Sequence, residues 1–270
     1  MNKILPVIVG FGGYNSSGRS SFHQGFKRTV IDSLTEVDRT NTIVSLACLM
    51  GLVSWKDKAY VDVSGNTLNK RVIVEKYERK VLSGTLIREI EHFDSRRVPG
   101  HKKIEFPSKK NLAFKMSKRD LPQSIPSAWE VKTLSDTEVQ VTTNGSTEFL
   151  VSSSYELTSK AAGQLPTGFN PKDFYTSRFH PRGLQMAILG VNDAIKSIGI
   201  SWDKLSMHVS PNEIGVYSSS VFGQVNEEAF GGLFKARLRG ERTTSKQVPL
   251  ALNSMPCLLY TSDAADEITG

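Results

Sequence analysis

The chain has 270 residues, of which 39% are hydrophobic, so it can bury a substantial core and is unlike a disordered protein. No apolar run approaches the about 18 residues of a membrane span, and the N-terminus lacks the features of a signal peptide. The net charge of +7 comes from interspersed basic and acidic residues, which is typical of solvated surfaces. These properties exclude a membrane-spanning segment and predict a soluble cytoplasmic protein.

The first 83 residues are predicted to start with a strand and to continue as helices. The apolar run 5–11 is rich in β-branched residues and ends at two glycines, which predicts a buried strand leading into a glycine loop. Apolar residues at helical spacing predict a helix over 22–34, capped by Ser20 or Ser21. A second helix is expected from a cap at Asp38 through Val53, and a third over 69–82.

The pattern changes between residues 84 and 151. Val139 and Val141 alternate with polar residues ahead of Asn144-Gly145, and this dipeptide between alternating segments predicts a β-hairpin. Four prolines divide the region into short pieces. We therefore expect a β-rich insertion over about 84–151 rather than a separate catalytic domain.

Helical patterning returns after this region. Pro181 precedes a wide apolar face that continues to Ile198, and Gly199 is a natural helix stop. Residues 213–218 are predicted to form a strand, and residues 230–238 a helix. The order of strand, helices, insertion, helix, strand and helix indicates an α/β fold.

The glycine loop at residues 13–20 offers one chemical hypothesis. It reads G-x-x-x-x-G-R-S between a predicted strand and a predicted helix, the context of a phosphate-binding loop. Arg19 stands where that motif has lysine, and Asp62 is a poor candidate for the second, metal-binding carboxylate. Asn15 departs from the dinucleotide fingerprint, which needs glycine there. We favour a structural turn and keep nucleotide binding through Gly13 to Ser20 as the alternative.

Other chemistry is weakly indicated. The five histidines have no metal-ligand spacing, and no G-x-S-x-G elbow occurs. Cys48 lies in an apolar run and is expected to be a buried, inert thiol. The cysteine count does not predict a disulfide framework. We predict no catalytic, cofactor-binding or metal-binding residue in the chain, and no cofactor.

Several short basic segments could contact nucleic acid or an acidic carrier protein, and charge alone does not choose between them. They are Arg96-Arg97, Lys102-Lys103, Lys109-Lys110 and residues 237–242.

The last 14 residues stand apart from the rest. The string beginning Cys257-Leu258-Leu259-Tyr260 resembles translated sequencing-adapter read-through, which must be excluded before the fold is considered. We therefore expect residues 257–270 to be artefact and residues 1–256 to be the genuine sequence.

Four segments together resemble the large bacterial β-ketoacyl-acyl carrier protein synthases. They are residues 5–23 with Gly18-Arg19-Ser20-Ser21-Phe22-His23, residues 162–185 with Ser177-Arg178-Phe179-His180-Pro181-Arg182, residues 214–220, and residues 245–256 with Leu252-Asn253-Ser254-Met255-Pro256. Their order and spacing make the resemblance specific, and it extends over residues 4–256.

The resemblance implies a thiolase-like fold of two related α/β halves and a homodimer. It also implies decarboxylative Claisen condensation in fatty acid synthesis, with an acetyl-CoA primer or another acyl-CoA or acyl-ACP, and malonyl-ACP. Acyl carrier protein is then the partner, and neither nucleic acid nor a membrane is expected.

The family's catalytic cysteine and two histidines lie beyond the Met-Pro segment. The resemblance therefore implies an incomplete N-terminal half of the fold, which is expected to be inactive alone. The resemblance places only residues 218–223 and 253–256 near the acyl pocket or the dimer interface.

Overall fold

The computed structural model describes residues 6–106, 111–174, 180–218, 225, 229–245, 247–252 and 254–255. The chain divides into two compact units. The first unit comprises Met1–Arg88 and Ala161–Gly270, and the β-rich unit comprises Glu89–Lys160.

Most of the helical structure lies in the first unit. Its helices are α1 (Gln24–Thr29), α2 (Glu36–Leu49), α3 (Lys70–Ser83), α4 (Arg182–Ser197), α5 (Trp202–Ser206), α6 (Phe230–Arg239) and α7 (Gln247–Ala251). No helix in the described ranges combines the length and apolarity needed to cross a bilayer.

The strands are short in the first unit and longer in the β-rich unit. They are β1 (Tyr14–Asn15), β2 (Gly18–Arg19), β3 (Val53–Lys56), β4 (Ala59–Asp62), β5 (Thr67–Leu68), β6 (Ile87–Glu89), β7 (Val98–Phe106), β8 (Leu112–Ser117), β9 (Trp129–Thr133), β10 (Glu138–Thr143), β11 (Thr147–Tyr155) and β12 (Ala161–Gly163).

Helices α2 and α3 pack together as the core of the first unit, which we call the α2–α3 layer. Ile43 and Ile73 are fully buried in it, and the antiparallel sheet β3–β4–β5 adds Val53 to the same cluster. The prediction of α3 is confirmed, because Asn69 caps it by accepting a hydrogen bond from the amide of Val72 at 2.9 Å. Helix α2 begins and ends earlier than predicted, since Thr35 rather than Asp38 is its cap and the helix stops at Leu49 rather than Val53.

The single helix predicted over 22–34 is wrong. Phe22 and His23 adopt left-handed backbone angles, with φ of 53° and 58°. Residues with a Cβ rarely adopt left-handed angles, and a right-handed helix cannot continue through residues that do. A short 3-10 turn over Ser21–His23 therefore precedes α1, and a second turn, Ile31–Ser33, follows it.

The buried first strand predicted over 5–11 is also wrong for its described part, residues 6–11. These residues form no strand, and Ile8 is 91% exposed. The segment instead lies along α4, where a Cβ on Gly10 would come within 2.6 Å of the Ala194 carbonyl oxygen. A strand needs backbone hydrogen bonds from a neighbouring strand, and no backbone bond from 6–11 to another strand is present among the described residues.

The β-rich unit contains a three-stranded antiparallel sheet, β8–β10–β9, and a ribbon in which β7 pairs with β11. The predicted strands on both sides of Asn144-Gly145 are confirmed, but the predicted pairing of these two strands in a hairpin is wrong. Strand β10 pairs with β8 and β9, while β11 pairs with β7. The positive φ of 101° at Gly145 lets the chain leave one sheet for the other.

Near the C-terminal end one helix prediction is confirmed and one strand prediction is not. Helix α6 covers the predicted range 230–238. Residues 213–218 form no strand: Pro211–Glu213 is a 3-10 turn with a capping box, and Tyr217 is 98% exposed. Proline at the start of this turn and the Ser210–Glu213 box favour a turn over an extended strand.

Candidate functional site

The most strongly built polar site is centred on Asp193 of α4, whose side chain is fully buried. Four donors from residues near the N-terminus converge on its carboxylate. Arg19 Nε and Ser21 Oγ donate to Oδ1, the latter at 2.7 Å. The amides of Gly13 and Ser21 donate to Oδ2 at 3.1 and 3.3 Å. We call Asp193, Gly13, Arg19 and Ser21 the Asp193 cluster.

A tight hairpin brings the donors together. Strands β1 and β2 pair Tyr14 with Arg19, and the turn between them is held by the Ser17 amide, which donates to Asn15 Oδ1 at 2.8 Å. The Ser20 amide then donates to the Gly13 carbonyl at 2.8 Å, which closes the loop. Gly13 and Ser21 are therefore adjacent in space although eight positions apart.

Close backbone packing fixes Asp193 against this loop. A Cβ on Gly12 would lie 2.6 Å from the carbonyl carbon of Asp193 and 2.8 Å from its Cβ. Only glycine permits this approach. Ser197 on the next turn of α4 adds a second tether, since its hydroxyl accepts from the Phe11 amide at 3.0 Å.

This geometry does not support the alternative of a phosphate-binding loop. In such a loop, backbone amides and a cation face the phosphate. Here Arg19 and two of the amides face Asp193, and the Ser20 hydroxyl donates to the Gly13 carbonyl at 3.1 Å. Asp62 is not brought to the loop; it lies at the end of β4 and pairs with Lys76 at 3.0 Å.

Tyr14 lies beside the cluster. Its ring stacks on Phe169 with centroids 4.9 Å apart. Burial and the negative charge of Asp193 raise the pKa of the Tyr14 hydroxyl, although Arg19 acts in the opposite direction. The hydroxyl therefore stays protonated at neutral pH and is no base.

Cys48, the candidate nucleophile considered from the sequence, lies in a setting that disfavours its thiolate. Cys48 is partly buried in α2, and burial raises the pKa of its thiol. A nucleophilic cysteine needs the opposite shift, which a nearby cation or helix N-terminus provides. Among the described residues, no group of three histidine, cysteine or acidic side chains is placed to hold a metal ion.

The remaining sequence candidates that fall in the described ranges make separate contacts. His23 packs its ring on Phe11 at 5.5 Å, and burial lowers the pKa of His180. Of the basic segments, Lys103 pairs with Glu148, and Lys109-Lys110 lie outside the described residues. Most of residues 218–223 and 253–256 also lie outside them, as does the tail 257–270.

Sequence reasoning missed Asp193 and Arg28. Arg28 is buried and caps the C-terminus of α3, donating to Thr85 Oγ1 at 2.7 Å and to the Leu82 carbonyl at 3.0 Å. A faint signal existed for Asp193, because it is an acidic residue inside a helix whose other positions are largely apolar. Its donors lie more than 170 positions away, so the sequence did not reveal them.

Comparison with solved structures relates this α/β chain to the ketosynthases, a class of condensing enzymes. The crystal structure of the noncanonical ketosynthase FabY from Pseudomonas aeruginosa matches with a TM-score of 0.78 and 44% sequence identity, over 95% of this chain and 41% of that chain.

Sequence comparison gives the same relative. The β-ketoacyl-[acyl-carrier-protein] synthase FabY of Pseudomonas aeruginosa is 45% identical over 256 residues, which is 93% of this chain. The chain spans 40% of the length of that relative. No family model matches the chain. The resemblance to β-ketoacyl-acyl carrier protein synthases that the sequence motifs predict is confirmed.

Proposed function

We propose that this chain is the N-terminal part of a β-ketoacyl-acyl carrier protein synthase of fatty acid synthesis. The observation that carries the proposal is the 45% identity over 93% of the chain, together with the structural match. Identity at this level over nearly the whole chain is difficult to reconcile with an unrelated activity. The β-rich unit lies within the matched chain, so it belongs to the proposed enzyme.

The proposed reaction is decarboxylative Claisen condensation. An acyl group, with acetyl as the expected primer, is held as a thioester on a cysteine. Malonyl-ACP loses carbon dioxide, and the resulting carbanion attacks that thioester carbonyl. The cysteine thiolate leaves, and the acyl chain is longer by two carbons. Such chemistry needs an activated thiol and donors for the developing oxyanion.

In this proposal the described residues supply scaffold rather than catalytic groups. The thiol of Cys48 has a raised pKa, which disfavours the thiolate that condensation requires. The nucleophilic cysteine and the catalytic histidines are expected after Pro256 in the whole protein. The 270-residue chain is therefore proposed to be inactive by itself, and residues 257–270 to be an artefact.

The proposed partners follow from the same resemblance. They are acyl carrier protein, an acyl-CoA or acyl-ACP primer, malonyl-ACP, and a second copy of the whole protein in a homodimer. The enzyme is proposed to act in the cytoplasm and to need no cofactor. The relative's name, which specifies acyl carrier protein, supports the assignment of the carrier.

The decisive experiment begins with sequencing the source DNA past the codon for Pro256. The protein encoded by the continuous frame is then assayed with acetyl-CoA and malonyl-ACP, and β-ketoacyl-ACP is detected by mass spectrometry. We expect the frame to continue without Cys257-Leu258-Leu259-Tyr260, to encode a cysteine and two histidines, and to give condensation product.

The 270-residue chain is assayed in parallel as the matched comparison, and no product is expected from it. A stop codon directly after a truly encoded tail, or a complete protein without condensing activity, would contradict the proposal. Activity from the 270-residue chain alone would overturn the scaffold assignment while leaving the reaction class intact.

A further inference from the structure

The Asp193 cluster has the geometry of an anion-binding site. Its four donors are divided evenly, with two hydrogen bonds to each carboxylate oxygen. One donor is a guanidinium, two are backbone amides and one is a hydroxyl. None of them belongs to α4, which supplies only the anion.

Burial makes this anion depend on its donors. The side chain of Asp193 has no exposure to solvent, so water cannot replace a missing hydrogen bond. A buried carboxylate without partners is strongly unfavourable, whereas charge-assisted bonds to a guanidinium and to amides compensate its desolvation. Asp193 and the loop of residues 13–21 therefore stabilise each other.

We propose that the turn bearing Gly13, Arg19 and Ser21 is a carboxylate-binding site whose resident ligand is the side chain of Asp193. The glycine-rich sequence that suggests a phosphate loop does bind an anion, but the anion comes from the chain itself. The inference concerns how the fold is held and is independent of the proposed condensing activity.

The size of the site determines which free anion can replace the side chain. Gly12 closes the site from one side, because its Cα is packed against the backbone of Asp193. Asp193→Ala removes only the carboxylate group, which leaves room for formate. Asp193→Gly also removes the Cβ, which leaves room for acetate. Phosphate is larger than either vacated volume and carries more oxygens than the donors can satisfy.

The test is chemical rescue of the full 270-residue chain at pH 7. Thermal unfolding is followed for Asp193→Ala with sodium formate, sodium acetate, sodium phosphate or sodium chloride at equal ionic strength. We expect the substitution to lower the folded-to-unfolded ratio by roughly 100-fold, because several charge-assisted bonds are lost together. Formate should restore stability with a dissociation constant of about 10–100 mM.

Concentration dependence and selectivity sharpen the result. At ten times its dissociation constant, formate should raise the folded-to-unfolded ratio about tenfold. Acetate should rescue Asp193→Gly better than Asp193→Ala, and phosphate and chloride should rescue neither. Asp203→Ala, at an exposed position of α5, is the matched control and should show no formate response.

Two further measurements keep the proposal falsifiable if the variants fold poorly. In the unsubstituted chain the amides of Gly13 and Ser21 should exchange their hydrogens slowly, since both donate to a buried oxygen. Asp193→Asn retains the size but not the charge, so it should remain destabilised and unresponsive to formate. Fast exchange at both amides, equal rescue by chloride, or full stability of Asp193→Asn would each overturn the proposal.

Discussion

In the α2–α3 layer, ten buried residues form one continuous cluster. In the β-rich unit, Val139 and Val141 are the buried hydrophobic residues among those that the structure describes. Both regions contain regular secondary structure, but they differ in how many apolar side chains they bury. Secondary structure alone is marginal, so stability should follow burial rather than strand or helix content.

The two regions also differ in their polar contacts. Two buried polar groups stabilise this layer: Arg28 holds the C-terminal end of α3, and Asp62 holds the turn between β4 and β5 and pairs with Lys76 of α3. In the β-rich unit, the pair Lys103–Glu148 is largely exposed. Buried, hydrogen-bonded charges cost much when one partner is removed, whereas exposed pairs contribute little. The comparison predicts a rigid layer and a unit that opens more readily.

The largest effect is expected from Ile73→Ala in α3. Ile73 is fully buried, so its truncation leaves a cavity and should reduce the free energy of unfolding of the first unit by about 2–5 kcal/mol. Urea denaturation with hydrogen exchange resolved by peptide measures this. Val72→Ala, at the exposed neighbouring position, is the control and should cost under about 1 kcal/mol. Equal losses for both variants would contradict the packing described here.

The next largest effect is expected from Arg28→Ala. This change leaves the Leu82 carbonyl and the Thr85 hydroxyl without the guanidinium, so the last turn of α3 should fray. A loss of about 2–3 kcal/mol is expected, because the hydrogen bonds involve a charged donor at a helix C-terminus. Hydrogen exchange in residues 80–86 should rise locally. Arg79→Ala, which alters an exposed arginine of the same helix, should leave those amides protected.

The α2–α3 layer is also the region that the sequence predicts best. Helical spacing over 69–82 is a local signal, and the third helix that it predicts is confirmed as α3. The Asn144-Gly145 dipeptide is a strong local signal for a hairpin, but the strands on its two sides pair with other strands of the unit instead. The Asp193 cluster joins residues more than 170 positions apart, and no local pattern encodes such a contact.

Asp62 makes the α2–α3 layer sensitive to acid. Its carboxylate accepts from the amides of Ser64 and Asn66 at 2.9 Å each and pairs with Lys76, which together hold the pKa of Asp62 well below its ordinary value of 3.8. A depressed pKa means that the unfolded chain binds the proton first. The contribution to stability is therefore present above about pH 4 and is lost as the pH falls below it.

Asp62→Asn tests this pH dependence. The variant should be less stable than the parent at pH 7, and its stability should fall less between pH 4 and pH 2, which thermal unfolding across that range measures. Asp57→Asn is the matched control, since Asp57 lies in the neighbouring β3–β4 turn and is exposed. It should leave the pH profile of the parent unchanged. Parallel profiles for Asp62→Asn and the parent would show that the hydrogen bonds to Asp62 do not lower its pKa.

The smallest effect is expected from the exposed pair of the β-rich unit. Lys103 and Glu148 lie 2.5 Å apart on neighbouring strands, and each side chain is more than half exposed. A double-mutant cycle with Lys103→Ala and Glu148→Ala should give a coupling free energy below about 1 kcal/mol, and salt should reduce it further. Hydrogen exchange of β7 and β11 provides the readout. A coupling as large as the loss from Arg28→Ala would mean that exposed charges stabilise this unit as strongly as burial stabilises the α2–α3 layer.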